Sequence, residues 1–80
     1  DLKMKSFEIN KGVLYKVKDI KSDKPLFMNY GIMEEILLKI IDKSPDQETV
    51  YIEIMGFNRK IAISSDMLDK LILEKIEEKI

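Results

Sequence analysis

Apolar residues alternate with other residue types on both sides of a turn between Thr49 and Ser65. An alternation of period two is expected for strands that bury one face and expose the other. Gly56 to Asn58 supplies turn-forming residues between the two runs. The segment is therefore predicted to be a β-hairpin whose inward positions are Val50, Ile52, Ile54, Ile61 and Ile63.

A weaker alternation at the start of the chain predicts another hairpin, with strands over residues 3–9 and 13–18. Gly12 lies between them, and glycine readily adopts the positive φ that chain reversal requires. The polar residues 19–25 are expected to form a loop, because Pro25 disfavours a helical conformation at the residue before it. The inward face of the second strand is predicted to carry Val13, Tyr15 and Val17.

Two segments carry apolar residues three and four positions apart, which is typical of amphipathic helices. In the first, residues 29–44, Asn29 is the expected N-cap and Pro45 the residue that ends the helix. The second, residues 67–80, follows the capping residues Ser64 to Asp66. Their apolar faces are predicted to be Met33, Ile36, Leu37, Ile40 and Ile41, and Leu68, Leu71, Ile72, Ile76 and Ile80.

These elements predict an α+β domain with the order ββαββα. Short, uncrossed connections favour bringing both hairpins into one mainly antiparallel four-stranded sheet. Both helices would then cover one face of the sheet, as a two-layer sandwich. Residues 1–80 are expected to form a single small domain, and Met4 is the expected native start, with residues 1–3 a cloning remnant.

The composition supports an ordered protein with little overall electrostatic attraction to polyanions. Of the 80 residues, 45% are hydrophobic and 36% are charged, and the formal net charge is −1. Nucleic-acid or membrane binding would therefore need a local basic patch. No apolar run approaches the ~18 residues that a membrane helix needs. A cytoplasmic protein without a membrane partner is predicted.

The side chains most used in catalysis are missing. The chain contains neither histidine nor cysteine, which removes the usual proton carrier near neutral pH and the strongest nucleophile. Its three glycines match no phosphate-binding loop, and Ser64 and Ser65 suit helix capping. The sequence predicts a protein that is not an enzyme, with no catalytic residue, metal site or cofactor.

Two regions combine apolar and polar groups in a way that is typical of protein interfaces. The turn of the Thr49–Ser65 hairpin gathers methionine, phenylalanine and arginine, and methionine side chains adapt readily to different partners. The predicted C-terminal helix is apolar around more than a narrow stripe. We therefore predict a small protein-interaction or regulatory module that also self-associates, with interface residues Met55, Phe57, Arg59, Leu73, Ile76 and Ile80.

The alternative function is nucleic-acid binding through lysines of the first hairpin. Lysine and arginine side chains contact phosphates, and the residues before Phe27 contain more lysines than acids. A solvated strand face is the simpler interpretation, because the net charge is not positive. The residues of this alternative are Lys16, Lys18, Arg59 and Lys60.

Overall fold

The computed structural model describes residues 9–56 and 58–76, which form five strands and two short helices. In chain order the elements are β1 (Leu14–Ile20), α1 (Lys24–Asn29), β2 (Leu37–Lys43), β3 (Thr49–Ile54), β4 (Arg59–Ser64), α2 (Ser65–Leu68) and β5 (Leu71–Lys75). The prediction of a small domain with both strands and helices is confirmed. The predicted four-stranded sheet with two long helices on one face is not what forms.

All five strands belong to one antiparallel sheet with the order β4-β3-β2-β1-β5. In a flat sheet, strands about 4.8 Å apart would separate β4 from β5 by roughly 19 Å. The connection from Ser64 to Leu71 is mostly the four-residue helix α2 and reaches only about 16 Å. The sheet must therefore curl, so that its two edge strands approach each other.

The hairpin predicted between Thr49 and Ser65 is confirmed as β3 and β4. The register pairs Val50 with Ile63 and Ile52 with Ile61, and the β3 positions predicted to point inward are fully buried. Gly56 has a φ of 97° in the connecting turn. Glycine adopts this conformation without the steric cost that a Cβ would bring.

The helix predicted over residues 29–44 is wrong. Asn29 is the last residue of α1 instead of an N-cap, Tyr30 is the C-cap, and the next residue, Gly31, has a φ of 90°. Leu37–Lys43 is the strand β2, which pairs with β1 on one side and β3 on the other. Its buried residues Leu38 and Ile40 are two positions apart. This spacing is typical of a strand, whereas the helix prediction relied on spacings of three and four in the same apolar run.

The helix predicted over residues 67–80 is also wrong in most of its length. Its predicted start is correct, because Ser64 caps α2 by accepting a hydrogen bond at Oγ from the backbone N–H of Met67 (3.1 Å). The helix ends at Leu68, and Leu71–Lys75 forms β5 against β1. Residues 77–80 lie outside the described part of the chain.

The strand predicted over residues 13–18 is confirmed as β1, which continues to Ile20. Tyr15 and Val17 are buried as expected. The strand predicted over residues 3–9 lies outside the described residues except for Ile9. The predicted loop 19–25 is shorter than expected, since Pro25 lies in the first turn of α1, where proline needs no hydrogen-bond partner.

The core is built mainly from the inward positions of the sheet; α1 and α2 each add one residue, and Ile9 and Ile32 come from segments outside these elements. Tyr15 brings the only polar side-chain atom among its described members, and its Oη accepts a hydrogen bond from the backbone N–H of Asn10 (3.0 Å). The buried hydrophobic residues are Ile9, Tyr15, Val17, Ile20, Phe27, Ile32, Leu38, Ile40, Val50, Ile52, Ile54, Ile63, Leu68, Leu71 and Leu73.

Candidate protein-binding groove

A solvent-open groove of about 580 Å³ lies where the end of α1 meets the turn between β3 and β4. We call it the methionine groove. Its lining combines two methionines, one tyrosine, two asparagines and one arginine with a glycine backbone. The lining residues are Met28, Asn29, Tyr30, Gly31, Met33, Asn58 and Arg59.

The first wall of the methionine groove is set by two buried anchors, Phe27 and Ile32, both 0% exposed. The backbone N–H of Ile32 donates to the carbonyl of Phe27 (2.9 Å), which closes the chain around Gly31. Because both anchors point into the core, the residue that follows each of them is turned outward. Met28 is 53% exposed and Met33 is 40% exposed.

The second wall comes from the β3–β4 turn. Asn58 has a φ of 52°, a left-handed conformation that asparagine tolerates better than most residues. Arg59 follows as the first residue of β4, opposite Ile54 in the register. Arg59 therefore belongs to the end of the hairpin, while the methionines belong to the helix and the loop after it.

Among the described residues that line the methionine groove, only Arg59 has a charged side chain. The two acids that follow Met33 in the chain are already engaged, since Glu34 pairs with Lys24 (3.2 Å) and Glu35 pairs with Lys16 (3.5 Å). Within the described residues, Arg59 forms no ion pair. The groove is therefore apolar at its methionines and cationic at Arg59.

The residues predicted for a protein interface differ in exposure where the structure describes them. Met55 lies half-buried at the β3–β4 turn, close in the chain to the groove residue Arg59. Leu73 is only 1% exposed, because it packs in the core opposite Val17. Ile76 is half-buried after β5, and its backbone N–H donates to Leu14 (2.9 Å). Phe57 and Ile80 lie outside the described residues.

The lysines of the nucleic-acid alternative are partly neutralised by neighbouring acids. Lys16 pairs with Glu35 at 3.5 Å, and Lys18 pairs with Glu74 at 3.8 Å. Lys60 is exposed. These ion pairs reduce the charge that β1 offers to a phosphate backbone. The alternative stays a prediction, which a low-salt titration with a random duplex tests, since phosphate contacts are strongest at low salt.

Met33 is absent from the predicted interface because the helix predicted over 29–44 has it on the buried face, and Met28 lies just before that helix. Two local signals point to the short helix that actually forms. Pro25 is well suited to the first turn of a helix, and Gly31 to the left-handed residue after its end. A helix bracketed by these two residues leaves Met33 beyond its C-terminus, free of the predicted apolar stripe.

Neither a metal site nor a membrane helix is found in the described residues. No group of three or more aspartate, glutamate, histidine or cysteine residues is placed to hold a metal ion in 9–56 and 58–76. Over the same residues, no helix is long and apolar enough to cross a membrane.

No protein-family model matches the chain, and no curated protein matches its sequence. Several solved structures nevertheless share its fold. The FeoA-like protein from Clostridium acetobutylicum superimposes with a TM-score of 0.79 at 16% identity, over 96% of this chain and 91% of that chain.

Two further structures have similar scores. For the iron(II) transport protein A from Clostridium thermocellum the TM-score is 0.80 at 20% identity, over 91% of this chain and 46% of that chain. For an iron uptake regulatory protein (FeoA) it is 0.74 at 14% identity, over 86% of this chain and 90% of that chain. Identities of 14–20% make this a likeness of fold. The chain thus adopts the small, SH3-like, barrel-like fold seen in FeoA-like proteins.

Proposed function

We propose that this chain is a non-enzymatic protein-interaction domain that regulates or supports iron(II) uptake by binding another protein through the methionine groove. The observation that carries the interaction role is the exposure of Met28 and Met33 side by side with Arg59 in one groove. The process is suggested by the fold, which is shared with proteins described as an iron(II) transport protein and an iron uptake regulatory protein.

The exposed methionines have a physical reason to bind a partner. Complete burial of a methionine side chain is worth roughly 1.5–3 kcal/mol, and about half of Met28 and Met33 remains in water. A partner that covers both would thus gain on the order of 2 kcal/mol from these two side chains. Their flexible thioethers also fit apolar surfaces of different shapes.

The composition favours protein binding over iron carriage. Imidazole and thiolate are common ligands of iron in proteins, and the 80 residues contain no histidine or cysteine. In this function the partner binds the iron, and this chain binds the partner.

Iron uptake in the source organism tests this proposal. A deletion strain is complemented with the wild type, with Met28→Glu/Met33→Glu, or with Leu26→Glu as the matched control. Leu26 is 41% exposed and lies on α1 outside the groove lining. Uptake of radiolabelled Fe(II) is expected to fall in the deletion strain and in the double variant, and to recover with the wild type and the control.

Immunoblots at equal expression and circular dichroism of the purified variants separate loss of binding from loss of folding. Unchanged iron uptake in the deletion strain contradicts the iron role. Full uptake with a folded double variant contradicts the groove as the contact surface.

The predicted self-association is part of the same proposal. The edge strands β4 and β5 each have one side without a strand partner among the described residues, and such edges readily pair with another chain. Sedimentation of the wild type against Ile76→Glu tests it, because a charge next to the β5 edge would weaken a dimer formed there. A monomeric wild type contradicts self-association.

A further inference from the structure

We infer that the methionine groove recognises a protein segment in which a large apolar side chain lies close to a carboxylate, with the carboxylate bound by Arg59. This inference rests on the proposed function, because it names the partner chemistry of the same groove. It follows from three properties of the lining: exposed apolar surface, a cation that forms no ion pair with a described residue, and side-chain amides that make no hydrogen bond to one.

The apolar part of the groove requires an apolar group on the partner. Met28 and Met33 are two of the four large hydrophobic side chains that are substantially exposed among the described residues. They flank Tyr30, which is half-buried against the core. An aliphatic or aromatic side chain placed between the two thioethers would remove all three from water.

The charged part of the groove requires an anion. Among the described lining residues Arg59 has no acidic neighbour, and the acids after Met33 form ion pairs with Lys24 and Lys16. A partner's carboxylate would thus not compete with one from the described part of this chain. Guanidinium also binds carboxylates with two parallel hydrogen bonds, which orients the partner as well as attracting it.

Two side-chain amides in the groove are suited to bind a peptide backbone. The side chains of Asn29 and Asn58 line the groove and make no hydrogen bond within the described part of the chain. Each amide offers both a donor and an acceptor, the same pair that a peptide backbone presents. Asparagines on both walls are therefore suited to hold the main chain of a bound segment between them.

The shape of the groove favours a segment of a protein over a free small molecule. Sites for small molecules usually enclose 70–90% of the ligand surface, whereas this groove is open to solvent. A segment anchored in a larger partner gains further contacts outside the groove. The expected ligand of the methionine groove is therefore a segment of a protein.

Binding of designed peptides to the whole chain tests the inference. The probes are three mixtures of fluorescein-labelled decapeptides on a glycine–serine background, with the two key residues at every spacing from adjacent to one helical turn apart. The mixtures carry leucine with glutamate, leucine with glutamine, or alanine with glutamate. Affinity is measured by fluorescence anisotropy, and the binding site by NMR of ¹³C-methyl methionine.

The leucine–glutamate mixture is expected to shift the methyl signals of Met28 and Met33. It should bind about threefold to fivefold more tightly than the glutamine mixture, the upper part of the range of an exposed ion pair, since the guanidinium can bind in a bidentate way. It should also bind more tightly than the alanine mixture. Arg59→Gln should abolish the preference for glutamate. Lys60→Gln, the matched control on the next residue of β4, should keep it, and both substitutions are at exposed positions.

Two results overturn the inference: no shift of the Met28 and Met33 signals at millimolar peptide, or equal affinity for the glutamate and glutamine mixtures. The iron-uptake experiment is an independent test of the proposed function. If uptake depends on the groove but no peptide binds, this partner chemistry is wrong and the proposed function stands. If peptides bind as expected but uptake is unaffected by deletion, the iron role is wrong and the groove chemistry stands.

Discussion

At the scale of single residues, Asp46 organises the turn between β2 and β3. Its Oδ1 accepts hydrogen bonds from the Ser44 hydroxyl (2.5 Å) and from the backbone N–H of Glu48 (3.0 Å). The Ser44 hydroxyl also accepts one from the backbone N–H of Thr49 (3.0 Å). The Ser44 bond, followed by that from Glu48, lowers the pKa of the Asp46 carboxyl below its ordinary value of 3.8.

This lowered pKa predicts how the turn responds to acid. The folded protein stabilises the ionised form of Asp46, which the unfolded chain does not. The contribution of Asp46 to the free energy of unfolding is therefore present above pH 3.8 and is lost as the pH falls through the folded pKa. The NMR titration of the Asp46 carboxyl should have its midpoint below 3.8 in the wild type. Ser44→Ala should move the midpoint upward, and an unchanged midpoint would contradict the assignment of Ser44 as the main cause.

At the scale of elements, the burial pattern of β5 is that of a strand and differs from the pattern expected of the helix predicted there. In the strand, Leu73 is 1% exposed and faces the core, while its neighbour Ile72 is only half-buried. Leu73→Ala should lower the free energy of unfolding by about 2–5 kcal/mol. Ile72→Ala should cost roughly 1 kcal/mol. Urea unfolding of both variants measures the difference, and equal losses would contradict the strand.

The elements that local pattern predicted correctly are those whose pattern has one interpretation. In β3 the alternation of Val50, Ile52 and Ile54 fits no helical face, and the turn at Gly56 fixes the partner strand. In β2 and β5 the apolar residues are adjacent, as in Leu71 to Leu73, and adjacent apolar residues satisfy both a helix face and a buried strand. Only pairing with β1 decides between them, and that information lies elsewhere in the chain.

The same reasoning explains what could be predicted of the candidate site. Arg59 is predicted from the sequence as an interface residue because it follows the turn of the one unambiguous hairpin, and this stays a prediction. Met28 and Met33 were not, since their exposure depends on which neighbours the core takes up. Phe27 and Ile32 are buried by contacts distant in sequence, and a local pattern does not contain those contacts.

At the scale of the whole molecule, the sheet pairs two strands from opposite ends of the described chain. The register pairs Val17 of β1 with Leu73 of β5, and folds dominated by such distant pairings gain them late, after a large loss of chain entropy. We expect refolding on the millisecond-to-second timescale. Stopped-flow measurement of tyrosine fluorescence tests this, and completion within microseconds would contradict it.

The position of β1 inside the sheet, between β2 and β5, also matters during synthesis. Residues 14–20 leave the ribosome long before residues 71–75, the strand that covers one of the two sides of β1. Until then, a nascent chain presents an uncovered strand beside apolar side chains, which is the kind of surface that aggregates or recruits chaperones. The yield of folded protein in the cell should thus depend on how quickly translation completes β5, and not only on the stability of the finished fold.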